Sequence, residues 1–93
     1  MRTIEQSTAF RRDYKRESRG QYRTTLDDTL KKVLLALAAD QLLDARLHDH
    51  DLSGDWTGYR ECHLRPDLLM IYRKSDHDTL RLARLGSHSE IFG

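Results

Sequence analysis

All five histidines of this 93-residue chain lie at or beyond position 48, mixed with carboxylates. The densest stretch is Tyr59-Arg60-Glu61-Cys62-His63-Leu64-Arg65-Pro66-Asp67. As a strand, it puts Tyr59, Glu61 and His63 on one face and Arg60, Cys62 and Leu64 on the other. Glu61 and His63 then form an acid–base pair, with Asp67 just past the following turn. His50 and Asp51 precede the stretch, and His88 and Phe92 follow it. Cys62 and His63 resemble a nucleophile pair only along the chain. On a strand they point apart, and Cys62 is expected in the core.

Each of these residues has a plainer reading. His48-Asp49-His50-Asp51 has a spacing that suits a metal or merely decorates a solvated loop. A zinc-binding domain would draw on His48, His50, His63 and His88. Glu61 and Asp67 are by default surface carboxylates, Phe92 a plug for the C-terminus, and Arg81 and Arg84 strand residues snorkelling to water.

The elements that must carry these groups are readable from periodicity. Residues 2–6 suggest a short strand. Ser7 or Thr8 can cap a helix through Arg19, with Phe10 and Tyr14 on its apolar side and Gly20 as its stop. Its outer face carries Arg11, Arg12, Lys15, Arg16 and Arg19. A second helix starts at Thr24 or Thr25 with Asp27 and Asp28 in its first turn. Its stripe is Leu26, Leu30, Val33, Leu34, Leu37 and Gln41, with Asp27–Lys31 and Asp28–Lys32 spaced to pair. Residues 44–55 are polar and predict a loop. Strands are expected at 58–64, 67–74 and 79–86, with Ser75-Asp76-His77-Asp78 as a hairpin turn. In the third strand Leu80, Leu82 and Arg84 alternate with Arg81, Ala83 and Leu85. The prediction is one α+β domain over residues 1–93, two N-terminal helices on a small, mainly antiparallel sheet whose other face is free for a site.

Composition narrows the class. Ninety-three residues suit a single domain, no run approaches a membrane span, and the start lacks an apolar secretion signal. A single cysteine fits a reducing compartment, so a cytoplasmic protein is expected. Residues 1–39 hold nine Lys/Arg against five Asp/Glu, whereas residues 40–93 hold seven against ten. The basic half fits nucleic acid or an acidic partner, or is an ordinary solvated helical surface.

Together the residues resemble a known family. His50, Leu52-Ser53-Gly54-Asp55-Trp56-Thr57-Gly58-Tyr59-Arg60-Glu61-Cys62-His63, Pro66-Asp67, Leu69, Ile71-Tyr72 and the run Gly86 to Gly93 resemble the YafQ-like branch of the RelE/ParE superfamily of bacterial toxins. The combined Gly-x-Trp-x-Gly-Tyr-Arg, His-x-x-Pro-Asp and Gly-x-His-x-x-x-Phe-Gly patterns carry the match. The resemblance implies a RelE-like fold and an mRNA interferase, the toxin of a type II toxin–antitoxin pair, cutting messenger RNA in the ribosomal 30S A site without a cofactor or metal. It implies catalytic roles for His50, Glu61, His63, Asp67 and His88, with Phe92 stacking on a base. The family usually has Asp at position 61, and Glu61 reaches one methylene further. Arg84 and Arg81 are expected to grip phosphate. Expected partners are a cognate antitoxin, the ribosome and mRNA, and operator DNA reached through the antitoxin; no membrane is expected. The alternative is a binding module on the same fold, inhibiting gyrase or acting as a co-repressor.

Overall fold

A computed structural model describes residues 1–93. Five strands lie in the order β1-β5-β4-β3-β2, with β1 Thr3–Gln6, β2 His50–Asp51, β3 Arg60–Arg65, β4 Leu68–Lys74 and β5 Thr79–Gly86. Helices α1 (Thr8–Glu17) and α2 (Leu26–Ala38) follow β1, and a third, α3 (His88–Phe92), follows β5. Three strand pairs are antiparallel and β1 runs parallel to β5. The architecture is the expected α+β one. No helix is long and apolar enough to cross a membrane.

The core lies where the helices meet the sheet. Phe10 of α1 and Leu26, Leu30, Val33 and Leu37 of α2 pack on Cys62, Leu64, Met70, Tyr72, Leu80, Leu82 and Leu85. Burying a side chain of this size contributes roughly 1.5–3 kcal/mol. This layer fixes the sheet, and the sheet fixes the opposite face.

Local chemistry sets the boundaries. Ser7 caps α1 by accepting from the Phe10 amide at 2.9 Å while its hydroxyl donates to the Ala83 carbonyl at 2.8 Å, tying the helix start to β5. The helix ends at Glu17, short of Arg19. There the Arg19 amide bonds the Arg16 carbonyl and the Ser18 hydroxyl bonds that of Lys15, tightening the last turn. Helix α2 stops at Ala38, before Gln41. Asp40 takes a left-handed conformation (φ 57°), and the Gln41 and Asp40 amides bond the Ala36 and Leu37 carbonyls, a Schellman ending. Asp27 turns to the Tyr14 hydroxyl instead of to Lys31.

Two departures shape the site. The expected loop over 44–55 contains β2, which pairs antiparallel with β3 and makes His50 an edge-strand residue opposite Glu61. In β5 the simple alternation fails. Ile71 pairs with Arg84 but Tyr72 with Leu82, so Ala83 is an inserted residue. Past this bulge Leu85 joins Leu80 and Leu82 in the core, and Arg84 no longer shares their face.

Candidate active site

The free face of the sheet is organised in two rows. Pairing across four strands aligns His50, Glu61, Ile71 and Arg84; the next row is His63, Leu69 and Gly86. Leu69 and Ile71 are buried and form the floor. Glu61 is 5 % exposed, unusual for a carboxylate, and its Oε1 lies 3.2 Å from His63 Nε2 and 3.6 Å from His50 Nε2. A buried carboxylate facing two imidazoles fixes their orientation. His63 is half-buried and His50 is open to solvent. The His50 ring is further held by Nδ1 against the His48 carbonyl at 2.7 Å. His48 itself packs edge-on against His63, with centroids 5.6 Å apart.

The strand that delivers His50 is pinned from behind. Asp49, between the two histidines, accepts from the Tyr72 hydroxyl and from Arg60 Nη2 at 2.8 Å and Nε at 3.3 Å. Burial first, then the Asp49 hydrogen bond, raises the pKa of Tyr72, which stays a neutral donor. Cys62 lies on this side, fully buried, and burial pushes its thiol up to about 12. It is a core residue, as its strand parity requires.

The second half of the site lies across β4. Gly86 is aligned with His63 two strands away, about 10 Å at the usual strand spacing. Just beyond it, α3 begins with a capping box in which the Ser87 hydroxyl accepts from the Glu90 amide and Glu90 accepts from the Ser87 amide. The helix presents His88 and Phe92, whose rings lie 4.8 Å apart. Phe92 is 38 % exposed, which does not fit a core plug.

The other expected residues are less central. Asp67 stands exposed at the tip of the β3–β4 turn. Arg81 pairs with Glu5 of β1, five residues down β5 from Gly86, and so lies away from the histidines. Arg84 sits in the Glu61 row, but its guanidinium is bonded to Asp13 of α1 at 2.7 and 3.3 Å. Asp13 is 2 % exposed and also accepts from the Leu85 amide and Arg16. Burial works to raise its pKa, but the Arg84 and Leu85 hydrogen bonds and both guanidinium charges hold it below the usual carboxylate range. The sequence pattern singled out neither Asp13 nor Asp49. The available signal for Asp13 was an acid three residues after Phe10, on the apolar side of a mainly basic helix.

Beside the cluster an open groove of about 1290 Å³ runs between α2 and the β3–β4 turn, lined by Thr29, Lys32, Arg46, His50, His63 and Arg65 among others. No three His, Cys, Asp or Glu side chains converge to hold a metal ion; His88 lies on α3, apart from His48, His50 and His63. The arrangement suits proton transfer to and from a bound polyanion.

Residues 2–93 match the family model described as the bacterial toxin of the type II toxin–antitoxin system, YafQ. The chain is 38 % identical to the mRNA interferase toxin YafQ of Escherichia coli K12 over 93 residues, covering 99 % of this chain and 97 % of that one. Among solved structures, a copper-bound mutant toxin from Helicobacter pylori superposes with a TM-score of 0.90 at 37 % identity, covering 99 % of this chain and all of that one. The E. coli DinJ–YafQ complex gives 0.82 at 36 % identity, covering both chains fully.

Proposed function

The chain belongs to the YafQ family of bacterial type II toxin–antitoxin toxins, and on that premise we propose that it is a ribosome-dependent endoribonuclease that cuts mRNA through the 2′-hydroxyl. The carrying observation is the buried Glu61 carboxylate facing His50 and His63. RNA supplies its own nucleophile. One imidazole of the Glu61 cluster, with His50 as the base, takes the 2′-hydroxyl proton. The 2′-oxygen then bonds to phosphorus, and the bond to the 5′-oxygen breaks. His88, approaching from α3, gives the leaving oxygen its proton, so the products are a 2′,3′-cyclic phosphate and a 5′-hydroxyl. His63, oriented by Glu61, faces the phosphorane and stabilises it. Positioned proton transfer of this kind contributes about 10²–10⁴-fold each.

Binding follows the same division. Phe92 stacks on a base splayed from the message. The exposed Arg11, Arg12 and Lys15 of α1, with Arg19 just past its end, contact ribosomal RNA in the 30S A site. The E. coli relative is named in complex with DinJ; by analogy a cognate antitoxin silences this chain in the cytoplasm and carries the complex to operator DNA.

The test is to map RNA ends on ribosomes after brief induction. 5′-Hydroxyl ends, and loss of cutting when the 2′-hydroxyl at the cut site is replaced by hydrogen, are expected. Ends bearing 5′-phosphate would overturn the mechanism in favour of metal-assisted hydrolysis. Growth inhibition without any cut would favour a binding module.

A further inference from the structure

The five-residue helix α3 carries two of the proposed site residues, yet none of its residues is fully buried. Packing of so short an element against β5 does not set its pose to within the fraction of an ångström that proton transfer needs. One charged contact ties it to the body of the protein. Arg16 Nε lies 2.9 Å from Glu90 Oε2. The same guanidinium is itself fixed at the other end, with Nη1 donating to Asp13 Oδ1 at 3.0 Å and Nη2 to the Leu85 carbonyl at 2.8 Å; Nε is also 2.9 Å from Glu17. Glu90 in turn uses Oε1 to accept from the Ser87 amide at 2.8 Å. Thus Glu90 joins the first turn of α3 to a guanidinium anchored on β5 and on a buried carboxylate of α1.

Gly86 makes room for this contact. A Cβ there would fall 2.6 Å from Arg16 Nη2 and 3.1 Å from Glu90 Oε1, inside the space the two side chains share. The charges also form a chain: buried Asp13 faces both Arg84 and Arg16, and Arg16 Nε donates to Glu17 and lies within ion-pair distance of Glu90.

We propose that Arg16 and Glu90, seated over Gly86 and backed by Asp13, form a clamp that positions His88 and Phe92 relative to the Glu61 cluster. Arg16 and Glu90 are positioning residues and touch no reacting atom. The inference rests on the endoribonuclease reading for its effect on rate, but not for its effect on the helix.

Two variants and two readouts test it on the full chain. Glu90→Gln keeps a carbonyl to cap Ser87 but removes the charge that Arg16 holds. Gly86→Ala pushes a methyl group between the partners. In both, NMR should show faster hydrogen exchange and lower order for the amides of residues 88–92 and shifted His88 and Phe92 ring resonances, with His50 and His63 unmoved. For Glu90→Gln the melting temperature should hardly change, because the pair is partly exposed; Gly86→Ala also strains the backbone at φ 157° and should lower it. Cleavage of ribosome-bound message should fall about 10- to 100-fold, the scale of a misplaced catalytic group. Unchanged amides and ring signals in both variants would overturn the clamp whatever the parent's activity. A loosened helix with parental cleavage would overturn its role in positioning. If the parent chain cuts no message, the endoribonuclease reading fails, while the NMR arm still decides whether the clamp exists.

Discussion

The two halves of the site are built in opposite ways. His50, Glu61 and His63 stand on paired strands, where the backbone ladder spaces them and the helical core lies directly behind. His88 and Phe92 stand on a short helix appended to the sheet's end and held by a single ion pair to α1. The contrast shows how one site divides its tolerances. The carboxylate half needs fixed distances among three ionisable groups, and a sheet provides them at little entropic cost. In the reaction proposed above, the terminal half meets an RNA strand that must enter and leave, and an appended helix can yield to it.

The largest effect should come from the rigid half. His63→Ala is expected to remain folded and lose about 10²–10³-fold in cleavage, the range for one group that stabilises the transition state; circular dichroism and single-turnover assays on ribosomes check both parts. A folded variant cutting at the parental rate would remove the strand half from the chemistry.

Next is the charge network that joins the halves. Asp13→Ala leaves Arg84 and Arg16 without their buried partner and should cost about 3–5 kcal/mol of stability, read from urea unfolding. Asp13 titrates below its unfolded value, so its contribution is full above about pH 4 and is lost as pH falls through the lower folded value. Asp13→Asn should therefore remove part of the acid limb of the stability profile. An unaltered limb would mean that other carboxylates set it.

A smaller effect is expected at the appended end. Deleting Phe92 and Gly93 should weaken message binding by about 1–3 kcal/mol, one base stack, while the melting temperature barely moves. A large thermal loss would instead make Phe92 a structural plug and erase the distinction between the halves.

The smallest response belongs to Cys62. Fully buried, with its thiol pushed up to about 12, it should resist alkylation at pH 8 in the native state and react promptly in urea. Rapid native labelling would show that the core behind the rigid half opens.

Legibility in the sequence followed the same division. Period-two alternation in β3 was enough to put Glu61 with His63 and Cys62 in the core, because a strand leaves side chains only two directions. The helical stripe of α2 was equally plain. The bulge at Ala83 was not, since inserting one residue leaves no mark in composition, and simple alternation accordingly groups Arg84 with Leu80 and Leu82. The two-residue strand at His50 owes its existence to its partner β3 and not to its own propensity. The α3 helix was written in Ser87-His88-Ser89-Glu90, a capping-box signature too short to stand out without the sheet end that precedes it. Asp13 and Asp49 act through contacts 71 and 23 residues away, with Arg84 and Tyr72, which no local pattern encodes.

The parallel pairing of β1 with β5 has a consequence for time. Thr3 aligns with Thr79, whereas β3, β4 and β5 follow one another through short turns. As the chain is synthesised, the first strand made has no place in the sheet until the last has formed, and closing so long a loop is slow next to zipping hairpins. The meander bearing Glu61 and His63 can assemble early, while β1 waits as an unpaired ribbon. Its exposed Glu5 and Gln6 give that waiting strand the polar edge that keeps it from pairing with a neighbouring chain.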